Sequence, residues 1–278
     1  MLWKNEEAKV DLLTATEQEI HATVKVCHSN LNWFISAIYV SSHLVKRRLV
    51  WSNLSEIAKL HNLPWLMLGD FNEVLSSEEK FGGNQINLNR ALEFKECLEN
   101  CNFLDLGFAG SKFTWTNKRP ITSLILERLD RCFANPSWRM LYPEAIVTHL
   151  PRTFLNHCPV LVELLGTRTN VTNKPFRFHS MWLLHPQFLK VVEEAWFEVF
   201  VNLFARKRRV LARLGGVQKA IACNPSEALL RLEKLFIEEL ALIMLQEEEF
   251  WALKSKLNTT AFGDCNTSYF HITTVVRR

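Results

Sequence analysis

The stretch LPWLMLGDFNEVL, residues 63–75, places an acid and an amide two residues apart at the end of an apolar run. A carboxylate presented at the carboxyl end of a strand is a usual way to build a site in an α/β protein. Asp70 could hold a metal-activated water and Asn72 a phosphate oxygen. Equally, both could cap the following turn, because Asx side chains readily bond nearby backbone amides. The same G-D-x-N pattern recurs with Asp264 and Asn266, where the lead-in KLNTTAF is polar and not strand-like, so this second copy reads as a loop. Four letters do not define a site, and their surroundings must decide.

Other reactive side chains are scattered. The seven cysteines, Cys27, Cys97, Cys101, Cys132, Cys158, Cys223 and Cys265, form no C-x-x-C, and their odd count argues against a disulfide framework or a zinc knuckle. Cys97 and Cys101 would share a helix face, so a metal pair is conceivable there, although buried free thiols are the simpler reading. The nine histidines show neither H-x3-H nor H-E-x-x-H spacing.

These residues need elements to position them. IHATVKV (residues 20–26) and WFISAIYV (33–40) are β-branched or aromatic runs of strand length. Leu49, Leu54, Ile57 and Leu60 recur near helical spacing, predicting a helix that leads into the strand PWLMLGD. A second helix is predicted over LNRALEFKECLENC, with Asn87 or Asn89 as its cap. KFTWTN and RLDRCFAN read as strands, and PVLVELL (159–165) as a last buried one. Helices and strands alternate, so the fold class is α/β, with mixed sheets and helices outside.

The composition changes at GTRTNVTNKP, residues 166–175. The sequence therefore divides into an α/β domain over 1–166, a linker over 167–185 and a helical segment over 186–278. One long helix opens near Pro186 and is expected to stop at Gly215-Gly216. A second, with Leu229, Leu232, Phe236, Leu240 and Ile243 at three- and four-residue steps, would pair antiparallel with it as a separate tail. Arg206–Arg209 could meet nucleic acid. The plainer reading is a solvated helix face with cations toward the helix C-terminus, where the macrodipole favours them. A net charge of +4 permits a nucleic-acid partner without arguing for one. No signal peptide or membrane span is visible, and an intracellular soluble protein is expected.

WLMLGDFNEVLSSEEKFGG, FTWTNKRP, ERLDRCFANPSW and NHCPVLVELL occur in that order between residues 65 and 165. Together they resemble the endonuclease/exonuclease/phosphatase superfamily, and most closely the endonuclease domain of plant LINE-type non-LTR retrotransposons. The likeness covers residues 1–166, and FRFHSMWLLHPQF and GDCNTSYFH resemble the segment that joins this endonuclease to the reverse transcriptase. The resemblance implies a four-layered α/β sandwich that hydrolyses phosphodiesters in DNA with Mg²⁺, acting in the nucleus. It implies that Asp70 orients or activates the attacking water, that Asn72 and Tyr39 contact the phosphate, and that Asp130 orients His157. Each has a plainer alternative: Tyr39 as a strand aromatic, Asp130 in a surface pair with Arg128 or Arg131, His157 as a satisfied histidine entering a buried strand.

Two departures from the family pattern bear on activity. Where the family reads Ser-Asp-His-x-Pro, this chain has Leu155-Asn156-His157-Cys158-Pro159. Asn156 keeps an oxygen ligand but loses a negative charge, which weakens attraction for Mg²⁺. The family also begins with a strand bearing an Asn and a segment bearing its principal metal-binding Glu, and Met1 starts after both; Glu6 and Glu7 stand at the wrong place to replace it. The expectation is an incomplete four-layered sandwich with a helical tail: an endonuclease-like fragment with weak or no catalysis, whose metal ligands are Asp70 and Asn156. The alternatives are a working nuclease or phosphoesterase completed by an upstream segment or partner, and a non-catalytic nucleic-acid-binding module. DNA and a reverse transcriptase region of the same element are the expected partners.

Overall fold

The computed structural model describes residues 8–27, 29, 31–165 and 198–262. Strands β1 (Ala8–Ala15), β2 (Glu19–Val26) and β3 (Asn32–Tyr39) run antiparallel in succession. Helix α1 (Leu44–Leu60) crosses to β4 (Trp65–Asp70), which pairs parallel to β3. Then follow β5 (Lys80–Phe81), α2 (Leu88–Asn100), and the two-residue strands β6 (Leu104–Asp105), β7 (Ala109–Gly110), β8 (Trp115–Thr116) and β9 (Leu126–Glu127). Next are β10 (Asp130–Ala134), α3 (Pro136–Leu141), β11 (Ile146–His149) and β12 (Val160–Glu163). The main sheet has the order β1-β2-β3-β4-β10-β6, and two three-stranded sheets have the orders β12-β11-β7 and β5-β9-β8.

Period-two alternation in the central strands decides which layer each face meets. Phe34, Ile38, Trp65 and Met67 join Val50, Trp51 and Leu54 of α1 and Phe94 and Leu98 of α2 in one core. Trp33, Ile35 and Leu66 face the other way, against Trp138 of α3, Tyr142 and Ala145, with Val162 packed on them. Trp51 and Phe94 stack at 4.6 Å between ring centroids. Burying each such side chain contributes about 1.5–3 kcal/mol over leaving it exposed. This is the mixed α/β sandwich expected from the sequence, with two helices after it.

Local signals act largely as read. Asn87, not Asn89, caps α2, its side chain accepting from Arg90 N at 3.2 Å. Asn135 caps α3, with Pro136 in the first turn. Gly69 is compelled by the sheet: at φ +146° it lies so close to β3 that a Cβ would sit 1.9 Å from the Ile38 carbonyl oxygen.

Other expectations need correction. KFTWTN gives only the two residues of β8, which pair with the equally short β9. β12 is half-buried, not buried: it lies at the edge of its sheet, with Val162 packed inward and Leu161 and Glu163 exposed. The expected stop at Gly215-Gly216 is absent. Helix α4 (Glu198–Cys223) runs through both glycines, because Leu214, Val217, Gln218 and Ile221 are buried beyond or beside them and tertiary packing overrides glycine's weak propensity. Arg206–Arg209 therefore lie in the first half of α4, not near its C-terminus. Helix α5 (Glu227–Phe262) takes in the polar KLNTTAF stretch that precedes the second G-D-x-N. Glu6, Glu7, residues 166–197, Asp264, Cys265 and Asn266 lie outside the described residues.

The chain divides into two compact units, Met1–Lys174 with Leu214–Leu232, and Pro175–Arg213 with Glu233–Arg278. In the second, Leu203 and Val210 of α4 pack on Leu240 and Ile243 of α5, as an antiparallel pair requires. Arg206 Nε lies 3.0 Å from Glu239 Oε1, and Lys207 pairs with Glu247. These two cations face carboxylates of the partner helix. Among the described residues no helix is long and apolar enough to cross a membrane.

Candidate active site

β4 delivers Asp70 at its carboxyl end. In the antiparallel β4–β10 ladder Asp70 stands directly opposite Asp130, the first residue of β10, and in the parallel ladder it is in register with Tyr39. Opposed residues project from the same face of a sheet, so register alone brings two carboxylates together. Thr114 fixes the start of β10: its buried hydroxyl accepts from both Leu129 N and Asp130 N at 3.0 Å.

His157 arrives from the loop between β11 and β12. Thr116 N donates to the Asn156 carbonyl at 3.1 Å, Cys158 N donates to Thr114 O at 2.7 Å, and His157 itself bridges to Trp115. The imidazole Nδ1 is 2.9 Å from Asp130 Oδ2, and Nε2 is 3.9 Å from Asp70 Oδ2. Asp130 is thus bonded to His157 rather than to its neighbours. Arg128 and Arg131 instead pair with Glu79 and Asp105.

Asn72 sits at φ +48°, in the left-handed region where Asn is tolerated. Its backbone N–H donates to Asp70 Oδ1 at 2.9 Å. Its Nδ2 donates to Val40 O at 2.7 Å and more weakly to Asp70 Oδ2 at 3.3 Å. The turn-forming reading of the pair is therefore realised, and it is this turn that holds the Asp70 carboxylate in place. Tyr39 is 64% exposed beside it, so its ring is accessible rather than a core aromatic. Asn156 is exposed in the same loop as His157.

The site is electrostatically tense. Burial, then the neighbouring Asp130 charge, raise the Asp70 pKa above the ordinary carboxylate value, against the opposing pull of the Asn72 N–H, His157 and Arg47. The hydrogen bond to Asp130 raises that of His157, helped by both carboxylates and opposed by burial and by Arg152. One ligand atom from each of Asp70, Asp130 and His157 lies within 4.8 Å of the others, the one such group among the described residues. A hard cation binds through one or two carboxylates together with substrate oxygens, and a desolvated carboxylate beside a second one fits that requirement. Cys97 and Cys101 belong to no such group. Cys97 is buried with its thiol donating to Trp51 O at 3.6 Å, and the Cys101 neighbour, then burial, push its pKa up, as for an inert thiol.

Two carboxylates at facing strand ends and an imidazole from a loop thus lie together in this α/β sandwich. The profile of the endonuclease/exonuclease/phosphatase family matches residues 7–152, and the chain belongs to this family, whose members generally depend on a divalent metal. Among solved structures, the endonuclease domain of TRAS1, a telomere-specific non-LTR retrotransposon, is similar with 10% identity over 56% of this chain and 68% of that one, at a TM-score of 0.45. The human Nocturnin catalytic domain shares 14% identity over 58% and 54% at 0.30, and truncated Caenorhabditis elegans TDP2 16% over 55% and 65% at 0.33. No curated protein matches the chain.

Thr114 escaped the residue-by-residue reading although it stands inside the FTWTN motif, whose polar positions were its only signal. Arg152 and Gln218, which bond to one another beside the His157 loop, carry no sequence signal at all.

Proposed function

We propose that the chain carries a Mg²⁺-dependent phosphodiesterase site of the DNA-endonuclease kind, derived from a plant LINE-type element and weakened by Asn156. The observation that carries the reading is the run of contacts Asp130–His157–Asp70, at 2.9 and 3.9 Å. Asp130 holds the His157 Nδ1–H, fixes the tautomer and supports the imidazolium, which leaves Nε2 directed toward Asp70. His157 then offsets negative charge growing on the phosphoryl oxygens. Asp70, held by the Asn72 turn and 3.9 Å from His157 Nε2, is placed to accept the proton of the attacking water. Tyr39 meets the phosphate from the exposed side. Asn72 can do so by releasing its weaker bond to Asp70 while keeping the one to Val40. Asp70, with Asn156 from the His157 loop, would hold the cation, which when bound polarises a phosphoryl oxygen.

An amide at position 156 attracts the cation less than a carboxylate would, so the parent chain is expected to nick supercoiled plasmid weakly or not at all in Mg²⁺. Asn156→Asp should raise nicking about tenfold, the usual scale for tuning a metal site. Asp70→Ala should abolish it. Nicking that survives Asp70→Ala, or an Asn156→Asp protein no faster than its parent, would refute the reading. As in the family it resembles, the substrate would be DNA in the nucleus and the partner a reverse transcriptase region of the same element.

A further inference from the structure

The loop that carries His157 is closed at its base, where Leu150 N donates to Pro159 O at 2.9 Å. Its C-terminal limb, residues 156–158, is zipped onto residues 114–116 as described above. The N-terminal limb is held from far along the chain. Arg152 N donates to Gln218 Oε1 at 2.8 Å, and Gln218 Nε2 donates to the Arg152 carbonyl at 2.6 Å. One carboxamide thus satisfies both backbone groups of a residue, as a neighbouring strand would. Gln218 is 2% exposed and Arg152 3%, so neither bond competes with bulk water. Both residues lie in the first compact unit. The approach is close: a Cβ at Gly215, three residues before Gln218, would lie 3.2 Å from the Pro151 side chain. The glycine that reads as a helix stop is a contact point between α4 and this loop.

We propose that Gln218 is a positioning residue for His157, clamping the N-terminal limb of its loop so that the imidazole is held in reach of Asp130 and Asp70. Four residues separate Arg152 from His157, and with the C-terminal limb already fixed, the clamp leaves the loop pinned at both ends. Without it, two buried backbone groups lose their partners and the limb must move to reach water. The proposal rests on the reading of the site as hydrolytic, because only then does the imidazole's placement govern a rate.

The test uses the full chain with Gln218→Met, which keeps the side-chain volume and removes both hydrogen bonds, and Gln218→Glu, which keeps the acceptor for Arg152 N alone. The readouts are the His157 Cε1–H cross-peak in an NMR spectrum, amide exchange at Arg152, and nicking in the Asn156→Asp background. The clamp predicts a displaced or broadened cross-peak in Gln218→Met and a smaller change in Gln218→Glu. It also predicts a fall in kcat of about 10–100-fold with KM little changed, the range for partners that orient active groups. An unmoved cross-peak in a folded but less stable variant would mean that Gln218 is only a packing residue. If both variants fail to fold, the unsubstituted chain decides: Arg152 N–H must exchange as slowly as Leu150 N–H, and exchange at loop rates overturns the clamp. If no version of the chain cuts DNA, the hydrolytic reading fails, while cross-peak and exchange still judge the clamp.

Discussion

Asp70 is a charge that the fold alone disfavours. It is 9% exposed, faces Asp130 across the ladder, and its pKa is raised first by burial and then by that neighbour. The groups that offset this are few: the Asn72 N–H, His157, and the more distant Arg47, itself bound to Glu73 in a buried pair. A site of this kind keeps strain that a bound cation relieves, and removing the charge should stabilise the empty protein. Asp70→Asn keeps an acceptor for the Asn72 N–H and removes the repulsion. We expect it to gain about 0.5–2 kcal/mol, seen as a melting temperature a few degrees higher in chelator. Millimolar Mg²⁺ should raise the melting temperature of the parent chain and leave the variant where it is. A lower melting temperature for Asp70→Asn in chelator would show that the carboxylate serves the fold, not a cation.

Elements turn these residues into a site, and glycines show where elements constrain sequence. Gly69→Ala would put a methyl 1.9 Å from the Ile38 carbonyl oxygen, at a φ of +146°. Its expected cost exceeds about 4 kcal/mol, enough to leave no folded protein. Gly216 has nothing within 4 Å, so Gly216→Ala should gain about 0.8–1 kcal/mol of helix propensity. Gly215→Ala gains less, because its methyl meets Pro151 at 3.2 Å. Urea unfolding should rank stability Gly216→Ala, Gly215→Ala, then Gly69→Ala; a Gly215→Ala chain as stable as Gly216→Ala would deny the α4–loop contact. The same comparison explains what was legible beforehand. β2, β3 and β4 are visible because their β-branched, aromatic or apolar runs are local, and α1 and α2 because spacing and, for α2, an Asn cap are local. Only the continuation of α4 past Gly215-Gly216 was hidden, because what carries the helix through them is the burial of Leu214, Val217 and Ile221, which no propensity records. Asp70 was visible as a strand-end acid. Its meeting with Asp130 depends on antiparallel register, and with His157 on a loop bonded to residues 114–116; only the ordered family motifs hinted at either. The Gln218–Arg152 clamp spans 66 positions between two ordinary residue types, so the sequence offers no sign of it.

At the scale of the whole molecule, the net charge of +4 is modest, and the basic run in α4 is partly neutralised by Glu239 and Glu247. Global electrostatics therefore enter mainly through buried histidines. Burial lowers the pKa of His21, reinforced by His61, and burial lowers that of His61 and of His149. His21 sits 2.8 Å from Ser36 Oγ and 3.8 Å from Glu19 Oε1. His61 packs between Phe34 and Trp65, with no hydrogen-bond partner for either ring nitrogen among the described residues. His149 Nδ1 lies 2.7 Å from Ser111 O. A lowered folded-state pKa means the unfolded chain binds more protons, so stability falls as pH drops below about 6.5. His157 has the opposite sign. Its pKa is raised by Asp130, so its contribution is complete below about 6.5 and is lost as pH rises through its folded value; at 37% exposure that contribution is screened. Burial also raises the pKa of Glu19, so its protonation returns some stability as the pH falls further toward the ordinary carboxylate range. Between about pH 6.5 and 5 the three lowered histidines outnumber the single raised one. Unfolding free energy should then decline with a slope of up to about 1.4 kcal/mol per pH unit for each extra proton the unfolded chain takes up. Urea titrations at pH 7, 6 and 5 measure this directly. His61→Phe, which keeps an aromatic ring between Phe34 and Trp65, should flatten the decline, and equal stability at pH 7 and 5 in the parent chain would show that these imidazoles titrate as they do in water.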